Sequence, residues 1–337
     1  MQLVYRNPVW PSEFADPFVL KWRGEYYAYG TSSVLHPAAP GHRFPVLHST
    51  DLVHWSHVSN ALAPLDHLPH GNYWAPEVAE QDGHFYLYFS AGESHADETQ
   101  RLFVAVADDP RGPFQTVAPV LPDEGFTIDA HPFRDPADGR WYLFFAKDYF
   151  DERVGTGLAV VPLAESITAV AGPVQPILRA SADWQIYERD RQLYGQRWPA
   201  WHTVEGPSVV FHEGRYYCFY SGGAWHSFDY GVSYGVAEQV LGPYRDEWSS
   251  QGPGVLRAVP GQVLGPGHNS VVRGPDDQTD FLVYHAWDAE RTARRMCIDP
   301  LYWTEDGPRC DGPTIGEQVL TLGENRRQSP TPPGKDT

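Results

Sequence analysis

Long apolar runs are missing from this sequence, and so is a basic N-terminal stretch leading into one. The chain opens "MQLVYRNPVW", and no segment approaches the run needed to span a bilayer. That excludes a membrane-spanning helix and gives the expectation of a soluble, cytoplasmic protein. Cysteine is scarce. Cys218, Cys297 and Cys310 are too few and too irregularly spaced for a disulfide framework or a zinc site, and are expected as buried free thiols. Positive charge is short as well: 25 Lys and Arg against 43 Asp and Glu leave a net charge of −18. Nucleic acid and anionic membrane surfaces select for clustered Lys and Arg, so both are excluded as partners and a small neutral substrate fits better. No obligatory protein partner is inferred. With 31 Gly, 31 Pro and only 20% charged residues, the chain is also poor in material for long helices. Its 14% of aromatic residues suits short strands joined by tight turns, so the fold class expected is all-β.

What is present is a repeat. Five segments match: "ADPFVLKWRGEYYAYGTS", "APEVAEQDGHFYLYFSAG", "AHPFRDPADGRWYLFFAKD", "EGPSVVFHEGRYYCFYSGG" and "HNSVVRGPDDQTDFLVYHAW". Each reads as a strand, a turn and an aromatic strand. Aligned on Pro17, Pro76, Pro132, Pro207 and Ser270, they recur at the spacing of one four-stranded propeller blade. "WRGE", "QDGH", "ADGR" and "HEGR" put Gly where a hairpin turn needs positive φ. The aromatic runs are continuous rather than alternating, as strands packed on both faces would be. The expectation is a single five-bladed β-propeller over residues 1–322, four antiparallel strands per blade, with residues 323–337 as a disordered tail. Residues 180–204 interrupt the spacing with an aromatic and charged insertion that contains Trp184, Tyr187, Trp198 and Trp201. Loops of that length in compact domains are usually functional. The insertion is expected to cover the site mouth.

Three carboxylates precede three of these hairpins: Asp16 in "EFADPF", Asp129 in "TIDAHPF" and Glu205 in "TVEGPSV". In a propeller, residues at the start of the inner strands cluster at one mouth of the central channel. Convergent carboxylates with aromatic neighbours are the usual equipment for cleaving a glycosidic bond, one protonating the leaving oxygen while another activates water or attacks the sugar. Taken singly, each acid could equally be a turn or cap residue.

The ordered set "FADPFV", "YWAPEV", "IDAHPF", "VEGPSV" and "GPGHNSVV", with "YHAWDAERTARRMCIDPLYW" near the end, resembles glycoside hydrolase family 43. The resemblance runs from about residue 7 to residue 320 and implies a five-bladed propeller and an inverting mechanism. It makes Asp16 the general base, Asp129 the residue that tunes and orients the acid, and Glu205 the general acid. For inversion, base and acid should stand about 6.5–9.5 Å apart to admit a water. It further implies Trp74 as an apolar wall of the first sugar site and Arg294 as a substrate-binding arginine, with Arg295 adjacent to it. Trp201 of the insertion is taken as a further substrate contact. His268 lies in the channel, where some family members hold a hydrated calcium or other ion through this imidazole. No cofactor is otherwise required. "FRDPADG" contains the Arg-Asp-Pro triplet of fructan-processing enzymes, but no "NDPNG"-like nucleophile motif accompanies it, and Asp135 is read as a turn residue. The substrate expected is a short oligosaccharide with a terminal α-L-arabinofuranosyl group, cut from its end. Alternatives are a β-D-xylosidase, an endo-arabinanase, a non-catalytic sugar-binding propeller and an interaction scaffold.

Overall fold

The computed structural model describes residues 2–31, 42–246 and 249–323. It is all-β, and its helices among the described residues are three single 3-10 turns. No helix is long and apolar enough to cross a membrane. The expected tail lies, from residue 324 onward, outside the described residues.

The hairpins form where the turn chemistry predicts them. Arg23–Gly24, Asp82–Gly83 and Glu213–Gly214 place two consecutive residues at positive φ, and Gly139 supplies one. This twist matches that of the flanking strands. Three sheets have four antiparallel strands each, their inner strands being Ala15–Trp22, Asn72–Gln81 and Val263–Arg273. The third and fourth units do not separate. They share one eight-stranded sheet, joined where Gly155 and Thr156 pair in parallel with His202 and Thr203. The fourth unit has three strands of its own, and the bridge between Val236 and Arg245 stands where a fourth would run. Among the described residues, four strands per unit therefore holds for the first, second, third and fifth units, Gln175–Leu178 being the fourth strand of the third.

The inner strands pack in sequence, Ala15–Trp22 on Asn72–Gln81, then Thr127–Arg134, then Gln196–His212, then Val263–Arg273, and the last packs on the first. Gln2–Arg6 pairs with Glu317–Thr321, so the two ends of the chain fasten the same seam. Tyr5 Oη and Tyr284 Oη donate to Asp299 at 3.0 and 2.6 Å and add a buried polar clamp there. The aromatic second strands are core: Tyr26, Tyr29, Phe85, Tyr88, Phe89, Phe144, Phe145, Phe219 and Tyr220 are all buried. Cys218 and Cys297 are buried free thiols, whereas Cys310 is only partly covered, because it sits on the outermost strand of the last sheet.

Every inner strand carries a β-bulge at the same level. Ala15 pairs with Thr31 but Phe18 with Tyr29, and the same shift falls between Trp74 and Glu77, Ile128 and His131, Glu205 and Ser208, and Gly267 and Ser270. The residue inside each bulge has positive φ: Asp16, Ala75, Asp129, Gly206 and His268. This register corrects the alignment on prolines. Ala130, not Pro132, and Asn269, not Ser270, are the counterparts of Pro17, because the extra bulge residue and not the proline fixes the level.

Candidate active site

A non-glycine residue at positive φ costs roughly 1–2 kcal/mol, so four such residues in one ring need compensation. Each bulge N–H donates to a buried polar group. Asp16 N donates to His285 Nδ1 at 3.1 Å, Ala75 N to Thr31 Oγ1 at 2.8 Å, Asp129 N to Ser90 Oγ at 3.1 Å and His268 N to Ser221 Oγ at 2.7 Å. In these four cases the acceptor lies on the second strand of the preceding unit. The third unit breaks the pattern, because the residue opposite Ile128 is Ala146, which has no acceptor. The N–H of Gly206 turns instead to Asp129 Oδ2 at 3.0 Å. One catalytic candidate is thereby tied to the backbone beside another.

Asp16 and Asp129 are thus true equivalents, while Glu205 stands one residue earlier, in the position of Ala15, Trp74, Ile128 and Gly267. Gly206 takes the strained position in its place, where glycine avoids both the backbone strain and a tight contact. Its φ is +58°, and a Cβ there would come within 3.2 Å of the His268 ring.

Every site residue expected from the sequence lines one cavity of about 270 Å³: Asp16, Trp74, Asp129, Trp201, Glu205, His268 and Arg294. Asp16 sits in a dense polar shell. Thr31 Oγ1 donates to its Oδ2 at 2.5 Å, Arg294 Nη1 to its Oδ1 at 3.3 Å, and His268 Nδ1 is 3.4 Å from the same oxygen. Burial opposes its charge, but Arg294 and His268 outweigh that and hold the carboxyl well below its usual range. The Asp16 N–H points at His285 Nδ1, which also lies 3.2 Å from Asp16 Oδ1, and burial drives the pKa of this ring down to about 4. It is a neutral ring. His268 behaves oppositely: burial disfavours its charge, yet Asp16, Asp129, Glu205 and Glu77 raise its pKa.

Among the described residues Glu205 forms no ion pair, and Tyr230 Oη donates to its Oε1 at 2.7 Å. Burial, then the charge of Asp129, push Glu205 up to about 8. Asp129 is also raised, mainly by burial, but the Gly206 N–H favours its charged form. Of the two, Glu205 is the one that keeps a proton. Carboxyl groups whose surroundings drive their pKa values apart in this way can take acid and base roles in one reaction.

The adjacent arginines are distinguished by geometry. Arg294 faces Asp16 and lies 4.6 Å over the Trp225 ring, whereas Arg295 is turned away to Asp288 and to Thr292 Oγ1 at 2.8 Å. Trp74 serves twice, lining the cavity and packing on the core between units. Asp135 accepts the Ala137 N–H at 2.9 Å and the Tyr216 hydroxyl at 2.8 Å, as a buried turn residue outside the cavity. Residues 180–204 do not form an irregular flap. They build a hairpin, Ile186–Leu193 against the first part of Gln196–His212, which prolongs the inner strand of the fourth unit. Tyr187 and Trp201 line the cavity, whereas Trp184 stacks on Tyr220 and Trp198 packs on Trp201 and Phe150 outside it.

Sequence reasoning missed Tyr230, Trp225, His285 and Glu13. Glu13 Oε2 accepts the Arg294 N–H at 2.8 Å and so anchors the arginine to the opening "EFADPF" stretch. The usable signal for His285 was its position in "VYHAW", level with Ser90 in "YFSAG" and Ser221 in "FYSGG". The site does not offer a directly ligated metal cage. Among the described residues no group of three or more His, Cys, Asp or Glu side chains could hold an ion, and calcium takes six to eight oxygen ligands.

Comparison with known proteins agrees with this geometry. The model for glycosyl hydrolases family 43 matches residues 5–308. A β-D-galactofuranosidase, xynD, of Aspergillus niger is 29% identical over 321 residues, covering 89% of this chain and 83% of its own. An α-L-arabinofuranosidase 43 of Humicola insolens is 28% identical over 72% of this chain, which spans about half (52%) of that relative's length. The crystal structure of a thermostable family-43 glycoside hydrolase superposes with a TM-score of 0.78 at 32% identity, covering 93% of this chain and 98% of that one. A match of the family model over nearly the whole chain, on a cavity that gathers an ionised and a protonated carboxyl, makes the protein a glycoside hydrolase of family 43.

Proposed function

We propose that the protein is an inverting, exo-acting α-L-arabinofuranosidase of short oligosaccharides, built as a five-bladed propeller. The closed ring of five inner strands supports the blade count, with the third and fourth blades sharing one hydrogen-bonded sheet. The observation that carries the mechanism is the opposed ionisation of Asp16 and Glu205 in one cavity. Asp16, kept anionic by Arg294 and His268, takes a proton from a water as that water attacks the anomeric carbon. Glu205, kept protonated by burial and by Asp129, gives its proton to the leaving oxygen, and Tyr230 holds it in place. Asp129 stays out of the bond changes and acts through its charge and its grip on Gly206. The bond to the leaving sugar breaks as the bond to water forms on the opposite face, which inverts the anomeric centre. No step passes through a metal ion.

Support for a furanoside comes from the relatives, whose names specify galactofuranose and arabinofuranose. The exo reading rests on the hairpin of residues 186–201, which walls one end of the cavity with Tyr187, Arg191 and Trp201. The test is a panel of nitrophenyl α-L-arabinofuranoside, β-D-galactofuranoside and β-D-xyloside with defined arabino- and xylo-oligosaccharides, product anomers being followed by NMR. Turnover of the arabinofuranosides with inverted monosaccharide as the first product is expected. Retained configuration refutes the mechanism, and di- and trisaccharides as the first products refute exo action.

A further inference from the structure

The proposed mechanism leaves three carboxylates of the cavity unused, Asp97, Glu98 and Asp148, and the half-buried Asp148 is the one held by the hairpin tip. Asp148 follows Ala146 by two residues on the strand Trp141–Tyr149, on the same face, so it lies about 6.6 Å outward from the level of the bulges. Thr156 Oγ1 donates to its Oδ1 at 3.0 Å and Tyr194 Oη, at the tip of the hairpin, to its Oδ2 at 2.6 Å. An ionised carboxylate has about four acceptor positions, so these two bonds leave roughly half of them for a ligand.

Arg191 supplies the opposite character. Its side chain is only 15% exposed, yet its ion pairs with Glu188 and Asp97 are at 3.6 and 3.7 Å, longer than direct hydrogen bonds. The guanidinium lies 4.7 Å from the Tyr187 ring centre and 5.3 Å from that of Trp201, and all three side chains line the cavity with Asp148. A guanidinium held by its faces keeps its edge donors for something else. Acceptor, donor and aromatic surface in one wall are what a neutral sugar ring requires, since it presents hydroxyls around its rim and C–H groups on its face.

We propose that Asp148 and Arg191, with Tyr187 and Trp201, form a second sugar subsite that binds the hydroxyls of the leaving-group sugar. The subsite rests on the glycosidase reading above, because it lies outward of the carboxyls that would cut the bond. Asp148 is pushed up to about 6, chiefly by burial, so it accepts from sugar hydroxyls at neutral pH and gives up one acceptor position in mild acid. Tyr194 ties the hairpin tip to this carboxylate, so the segment that walls the cavity is also fastened by the subsite it completes.

The experiment compares kcat/KM on a disaccharide and on a nitrophenyl glycoside with the same terminal sugar, for wild type, Asp148→Asn and Arg191→Gln. The aryl leaving group has no hydroxyls to lose. Each variant is expected to lose roughly ten-fold more on the disaccharide than on the aryl glycoside, mostly through KM, since hydrogen bonds to charged groups are involved. Equal losses on both substrates in both variants mean that the residues only support the hairpin, and overturn the subsite. Equal retention on both overturns it as well. A thermal melt of each variant separates misfolding from lost binding, and Arg191→Lys, which keeps charge without the planar fork, should recover only part of the disaccharide activity. Wild-type turnover of the aryl glycoside tests the catalytic reading separately, so failure of the one is distinguishable from failure of the other.

Discussion

Asp129→Asn offers a direct test of how the proton is kept on Glu205. Burial is the first cause of the raised pKa and the Asp129 charge the second. The substitution removes the charge but leaves a carbonyl oxygen that can still accept the Gly206 N–H now bound at 3.0 Å. At an effective dielectric of about 20, two unit charges at a generic separation of about 5 Å interact by about 3 kcal/mol, or roughly two pKa units, which sets the scale for a neighbouring charge. Glu205 in the variant should therefore fall from about 8 while staying above 4.5, because burial remains. In the proposed mechanism the active form has Glu205 protonated, so activity is lost as pH rises through its pKa. The alkaline limb of kcat/KM against pH should move down by roughly one to two units in the variant, and the acid limb, governed by Asp16, should stay. The assay needs an oligosaccharide whose leaving group depends on protonation. An unmoved alkaline limb would refute the idea that Asp129 acts through its charge, and a moved acid limb would show that the two limbs had been assigned to the wrong residues.

Four further outcomes are expected. Glu205→Gln should cost roughly 10²–10⁴-fold on oligosaccharides and less on a nitrophenyl glycoside, and equal losses on both would count against it as the acid. The same substitution should raise the melting temperature near pH 8 but not near pH 4: a carboxyl raised from 4.5 to about 8 by folding binds more protons folded than unfolded, so it costs stability as pH rises between those values. Asp16→Asn should abolish turnover of both substrate types, with rescue by azide giving an inverted product, and near wild-type rates would remove Asp16 from the mechanism. Ala146→Ser should give the Gly206 N–H the acceptor found in other units, draw it from Asp129 and lower kcat at a nearly unchanged melting temperature, whereas a wild-type rate and pH profile would show that Ala146 does not position Asp129.

The sequence by itself determined the all-β class, the hairpin turns and the residues that meet in the cavity. These properties are written locally: glycine at positive φ in "WRGE" or "HEGR", and continuous aromatic runs for strands buried on both faces. The motif order gave Asp16, Asp129 and Glu205, and all three line one cavity with Trp74, Trp201, His268 and Arg294. What the sequence could not show is the level of each residue across a seam. Asp16 stands one residue before Pro17 and Glu205 two before Pro207, but that the first is the strained bulge residue and the second precedes it follows only from register, which is a property of two paired strands. The same holds for His285, 269 residues from the Asp16 N–H that it accepts, and for Tyr230, 25 residues from Glu205 in sequence. Only closure of the ring brings such groups within hydrogen-bond reach. The opposed ionisation of Asp16 and Glu205, on which the proposed base and acid roles rest, depends on burial and on which charges surround each carboxyl, and these exist only after the chain has folded.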